Sequence, residues 1–225
     1  MQNKRANNFE VEVNGLVFSF SGFSFVANLD DVTEYKDGFE KKYQKTLREL
    51  RSRYESDGTK IIAIPGHKDV DLIAVNQKEE LFFIEVKEFS GGSGRKGFME
   101  LLNGEKFDST DPKYLGTIAL EKFIDAFFAL PFLVKQRQAT HHLGPPGDAL
   151  CSWMRKPERK LHYLLWIHSA DSGLDHRRID AQFNAMRDYL NRNLNFSGGA
   201  QALRVQVGLT PELQQLYPIR VTKPA

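Results

Sequence analysis

Apolar and polar residues alternate through "FEVEVNGLVFSF", residues 9–20, on both sides of Asn14-Gly15. That pair is the preferred centre of a type I′ turn, so the pattern predicts a hairpin with Val13 opposite Leu16, Val11 opposite Phe18 and one apolar face. From Val32 to about Ser56 the spacing turns helical: Val32, Tyr35, Phe39, Tyr43, Leu47, Leu50 and Tyr54 recur every three or four residues, and Asp57-Gly58 supplies a stop. The other face of this helix carries Lys41, Lys42, Lys45, Arg48 and Arg51, which reads as a solvated surface.

Three short apolar runs follow, "KIIAIP", "VDLIAV" and "LFFIEV", separated by "GHKD" and "NQKEE". They predict a three-stranded meander. The segment "SGGSGRKG", residues 90–97, has loop composition, and no Gly-Lys-Ser/Thr stands where a phosphate-binding P-loop needs it. Asp111-Pro112 then opens a helix with Leu115, Ile118, Phe123, Ala126, Phe127 and Leu130 on its apolar face, and Pro131 is expected to kink or divide it. "HLGPPGDALCSWMRKPERK" reads as an irregular surface connection. "LHYLLWIHS" is a buried strand, "RRIDAQFNAMRDYLNRNL" an amphipathic helix and "ALRVQVGL" the last strand. Helix, three strands, helix, strand, helix, strand is the order of an α/β fold, a mixed sheet with helices on its faces.

Composition adds little to this picture. With 225 residues the chain is long enough for one sizeable core, and its single cysteine, Cys151, allows no intrachain disulfide. The start "MQNKRANNFEVEV" lacks an apolar segment of signal-peptide type, and the most apolar run, Phe123–Val134, is short and contains Pro131. The expectation is a cytoplasmic protein with no membrane association. A net charge of +2 does not by itself announce nucleic-acid binding. His141-His142 and Cys151 do not make a zinc site, because no partner pair stands at a recognisable spacing.

Charge inside the second and third apolar runs is what changes the picture. Asp69, Asp71, Glu85 and Lys87 interrupt strands that are otherwise apolar, and ionised groups are rarely buried without a partner or a metal. A hairpin symmetric about Lys78 sets Val75 against Leu81, Ile73 against Phe83, Asp71 against Glu85 and Asp69 against Lys87. Opposed residues share a face with Cβ atoms about 5 Å apart, so both carboxylates and the lysine point the same way. A slip of one residue would separate Asp71 from Glu85. Two carboxylates that close repel unless a cation lies between them, and Mg²⁺ accepts one or two such hard oxygen ligands. Lys87 would then hold or deprotonate a water and offset charge on a phosphorane, while the metal supplies Lewis acidity.

Asp71, thirteen intervening residues, then "Glu85-Val86-Lys87", within "VDLIAV…FFIEVKEFSGG", resembles the PD-(D/E)xK (restriction-endonuclease-like) nuclease superfamily. The resemblance covers roughly residues 32–170 and is similar in style to the NERD-like and VRR-type branches without resolving between them. The literal Pro-Asp pair is missing, since Asp71 follows Val70. The resemblance implies a restriction-endonuclease-like α-β-β-β-α-β core over residues 32–210, with an N-terminal β-hairpin extension at 1–31 and a C-terminal tail at 211–225. It implies Mg²⁺ or Mn²⁺ bound by Asp71, Glu85 and the backbone carbonyl of Val86, with Lys87 catalytic. Glu40, and Glu34 behind it, are candidates for the acidic residue that many members carry on the first helix; Gln136 and Gln138 are candidates for the Gln or Lys that some relatives place on the helix after the Glu-x-Lys strand. Arg95 and Lys96 suit phosphate contacts. The implied activity is phosphodiester hydrolysis in nucleic acid, DNA ahead of RNA, and cutting both strands of a duplex points to a homodimer or a larger nuclease complex. The rival reading is a degenerate nuclease-fold module that docks nucleic acid or a protein, using its aromatic segment "FSFSGFSF" for a partner. A third is a hydrolase of small phosphodiesters.

Overall fold

The computed structural model describes residues 8–29, 45, 70–89, 115–140, 144–156, 158–169, 176–194 and 201–224. Strands β1 (Asn8–Val13) and β2 (Leu16–Ser21) pair across Asn14-Gly15 in the expected register, Val13 with Leu16 and Val11 with Phe18. Both turn residues are left-handed, with φ of 53° and 72°, as a type I′ turn requires. Gly22, also left-handed at φ 75°, turns the chain out of this hairpin into β3 (Phe23–Asn28), which belongs to a different sheet.

That central sheet has the order β3-β4-β5-β6-β7, where β4 is Leu72–Asn76, β5 Leu81–Glu88, β6 Arg159–His168 and β7 Gln201–Leu209. β4 runs antiparallel to both of its neighbours, β3 and β5, whereas β5, β6 and β7 run parallel. The parallel joins require crossovers. They contain helix α1 (Leu115–Thr140) with α2 (Gly144–Arg155) between β5 and β6, and α3 (His176–Leu194) between β6 and β7. The protein is therefore α/β, with a central mixed sheet flanked by helices.

Parity divides the core into two layers. Ile73, Val75, Leu81, Phe83, Tyr163 and Leu165 face α1, α2 and α3, which contribute Ala119, Phe123, Trp153, Phe183 and Met186. On the opposite face Leu72, Ala74, Phe82, Ile84, Leu164 and Trp166 pack against Leu16, Phe18 and Phe20 of the hairpin. Central strands covered on both faces read as nearly continuous apolar runs, which is why β5 begins Leu-Phe-Phe-Ile.

Several expectations need correction. The partner of β4 on the side away from β5 is β3, from the segment read as a hairpin extension, whereas "KIIAIP" and the long basic helix lie outside the described residues, apart from Lys45, which is helical. The aromatic rings of "FSFSGFSF" pack inside the protein: Phe18, Phe20, Phe23 and Phe25 are all buried. The segment read as an irregular connection is helix α2, because prolines are tolerated in a first helical turn and Leu150 and Trp153, three apart, reach the core. α1 continues beyond Pro131 as one helix. The segment read as a C-terminal tail carries regular structure: α4 (Thr210–Leu216) leads to β8 (Ile219–Thr222), which pairs antiparallel with β2 and completes a small β1-β2-β8 sheet. Four residues are too few to show the alternation by which a strand is recognised. No helix among the described residues is long and apolar enough to cross a membrane.

Candidate active site

The β4–β5 connection decides whether the acids meet. Asn76 organises it: its side-chain oxygen accepts the backbone N–H of Lys78 at 3.0 Å and of Glu80 at 2.9 Å. Its own carbonyl accepts the N–H of Glu79 at 2.9 Å, and its N–H donates to the Glu80 carbonyl at 3.1 Å. Three residues, 77–79, stand outside this pair, with Glu79 left-handed at φ 58°, a position usually given to glycine. Ser152 donates to the Glu79 carboxylate at 2.7 Å and Lys156 pairs with it at 2.5 Å, so α2 grips the turn. An odd loop makes the hairpin symmetric about Lys78. The observed pairs are Leu72 with Ile84, Ile73 with Phe83, Ala74 with Phe82 and Val75 with Leu81.

Asp71 therefore arrives one residue before the ladder, beside Glu85. One Asp71 oxygen accepts the Val86 N–H at 2.6 Å, substituting for the backbone carbonyl that a longer β4 would have offered. Glu85 has no solvent exposure and projects into the layer beneath α1, the same side as Phe83. Lys87 reaches back to Glu85 Oε1 at 2.6 Å. Burial, followed by the Asp71 charge, raises the Glu85 carboxyl above its ordinary value, while Lys87 and Lys122 pull against that rise. Behind the acids, the fully buried Tyr163 donates its hydroxyl to the Ala119 carbonyl at 2.6 Å. Burial and the two carboxylates hold its phenol well above the normal range.

Two members of this cluster were not foreseen. Lys122 of α1 donates to Glu85 Oε2 at 2.9 Å and its ammonium lies 3.9 Å from Asp71 Oδ1, so it stands at the two acids together. The available signal was its position: it is the one basic residue between 115 and 134, three after Ala119 and four before Ala126 on the face that α1 buries. Asn14, at the tip of the β1–β2 hairpin, donates its side-chain amide to the Val86 carbonyl at 3.3 Å. No local pattern connects it to a strand 72 residues away.

The structure thus brings Asp71, Glu85, Val86 and Lys87 together and adds Lys122 and Asn14 to them. Glu40, Glu34, Asp69, Arg95 and Lys96 lie outside the described residues, and the side chains of Gln136 and Gln138 are likewise not described. Among the described residues no group of three or more His, Cys, Asp and Glu side chains could hold a metal ion. The oxygens of Asp71, Glu85 and the Val86 carbonyl form a hard donor set whose charge calls for a cation, which is the chemistry Mg²⁺ or Mn²⁺ requires. A cation already fills that role, because the Lys122 ammonium bridges the carboxylates. No family model matches the chain, and neither a curated protein nor a solved structure matches it.

Proposed function

We propose that this chain is a metal-dependent nuclease with a restriction-endonuclease-like core of the PD-(D/E)xK type, hydrolysing phosphodiester bonds, in DNA ahead of RNA. The observation that carries the reading is the β4–β5 register, which gathers Asp71, the fully buried Glu85 and Lys87 at one end of two strands that are otherwise apolar. Burying a carboxylate beside another is costly, so such an arrangement is uncommon unless chemistry uses it. Asp71, Glu85 and the Val86 carbonyl would hold Mg²⁺ or Mn²⁺; when bound, the ion supplies Lewis acidity and a more acidic water. Lys87, 28% exposed where Glu85 is closed, is the group able to meet a water and a phosphate from solvent. Glu40 on the first helix and Arg95 and Lys96 beyond β5 complete the proposal, as do a cytoplasmic location and a dimeric or larger assembly.

A degenerate nuclease-fold module is the second reading, favoured by Lys122, since an ammonium held 2.9 Å from Glu85 neutralises the acids without a metal. Incubation with supercoiled, linear and single-stranded DNA and with RNA, with and without Mn²⁺, separates the two. Cleavage that needs Mn²⁺ and disappears in Asp71→Ala and Lys87→Ala, with circular dichroism unchanged, supports the enzyme. Cleavage that persists in either variant overturns the assignment.

A further inference from the structure

The three oxygen donors assigned to the divalent ion all have partners from within the chain. The Lys122 ammonium takes Glu85 Oε2 at 2.9 Å and approaches Asp71 Oδ1 at 3.9 Å, and the Asn14 amide takes the Val86 carbonyl at 3.3 Å. These donors come from different elements, helix α1 and the tip of the N-terminal hairpin, which pack on opposite faces of the sheet. Charge leads to the same place. With all four groups ionised, the two negative charges of Asp71 and Glu85 are matched by the two positive ones of Lys87 and Lys122.

A divalent ion added to a charge-balanced cluster built around the fully buried Glu85 would leave two charges poorly compensated, which is unfavourable. The ion and the ammonium also want the same oxygens. We infer that Lys122 and Asn14 are internal occupants of the metal site, and that a divalent cation binds only by displacing the Lys122 ammonium and the Asn14 amide. This inference rests on the metal-site reading above. Loading is an exchange of cations rather than the filling of an open cradle, and the intrinsic metal affinity is set by how firmly α1 and the hairpin tip hold on. Lys122 has the means to leave: it is 18% exposed and its long stem can turn its ammonium to solvent. Asn14 sits on an exposed turn and moves without disturbing the core.

The test is Mn²⁺ titration of the full chain by calorimetry, with thermal unfolding as a second readout. Lys122→Met removes the competing charge and keeps the stem, and should tighten Mn²⁺ binding by roughly tenfold or more. Asn14→Gly keeps the left-handed turn while deleting the amide, and should tighten binding by a smaller factor, on the order of a few-fold. Without metal, Lys122→Met should melt below the native chain, and Mn²⁺ should raise it by more than it raises the native chain. The double variant Lys122→Met with Asp71→Ala should lose the gain. If the native chain binds Mn²⁺ and neither variant binds more tightly, the displacement inference is overturned while the metal site stands. If no protein binds Mn²⁺, both fall. Tightening that survives in the double variant places the ion elsewhere and also overturns it. Should Lys122→Met not fold, Asn14→Gly decides the matter, because its site is an exposed turn.

Discussion

Replacing Lys122 by methionine probes the energetics of the candidate site independently of any activity. The substitution preserves a long unbranched stem but removes one of two ammoniums that serve a carboxylate with no solvent exposure. Breaking a buried pair from one side costs about 3–5 kcal/mol, since the surviving charge is left uncompensated. Lys87 retains Glu85 Oε1 at 2.6 Å, which argues for the low end, about 3 kcal/mol. For a chain of this size that corresponds to a melting temperature lower by roughly 6–12 °C. Acid should relieve the loss. Glu85 already has a raised carboxyl, from burial first and then Asp71, and losing Lys122 raises it further. A group raised on folding contributes stability that is full below its unfolded value of 4.5 and is lost as pH rises through the folded one. The gap between variant and native chain should therefore be widest at neutral pH and close as pH falls toward 4.5. Urea unfolding across that range measures it. A gap under about 1 kcal/mol at neutral pH, or one that widens in acid, would refute the placement of the ammonium at the acids.

Asp71→Asn retains an oxygen for the Val86 N–H, so stability should change by less than about 1.5 kcal/mol, whereas Asp71→Ala leaves that donor unpaired and should cost about 1–3 kcal/mol; denaturant midpoints distinguish them. His162, stacked on Phe82 at 4.4 Å and nearly buried, has its imidazole pushed down to about 4 by burial, with Glu80 opposing and Arg204 and Lys160 assisting. The unfolded chain binds the extra proton between 6.5 and about 4, so stability falls as pH drops through that window, by about 3 kcal/mol in all. His162→Phe should flatten this part of the pH–stability profile, and an unchanged profile would reject the assignment. Thr210 Oγ1 accepts the buried Trp166 indole N–H at 3.0 Å, so Thr210→Val should cost about 1–3 kcal/mol in equilibrium unfolding and shift Trp fluorescence.

What could be read before the fold was seen follows the range of the forces involved. Turn chemistry and parity are local. Asn14-Gly15 specified its hairpin because few residue pairs accept two left-handed positions, and symmetry about Lys78, an expectation drawn from the spacing of the charges, is the register that the three-residue loop held by Asn76 adopts, joining Asp71, Glu85 and Lys87. Strand β6 announced itself by a continuous apolar run, β7 by alternation and helix α3 by helical spacing. The four-residue β8 and the Gly-Pro-rich start of α2 did not, because helix and strand there depend on a surface to pack against: Trp153 in the helical layer, and the free edge of β2 for Ile219–Thr222.

Which strand lies beside β4, and which cation reaches Glu85, were decided only by tertiary structure. β3 takes its place because Gly22 redirects the chain after the hairpin, a choice invisible in any window of alternating residues. Lys122 and Asn14 each have an ordinary local explanation, a lysine on an amphipathic helix and an asparagine in a tight turn. They become parts of one charge-balanced cluster only when a helix and a hairpin pack on opposite sides of the same strand. Hairpin symmetry about Lys78, legible in the spacing of the charges, brings two acids and a lysine to one face; the way their charge is balanced depends on side chains 37 and 72 residues away from the groups they contact, brought near by packing that no local pattern encodes.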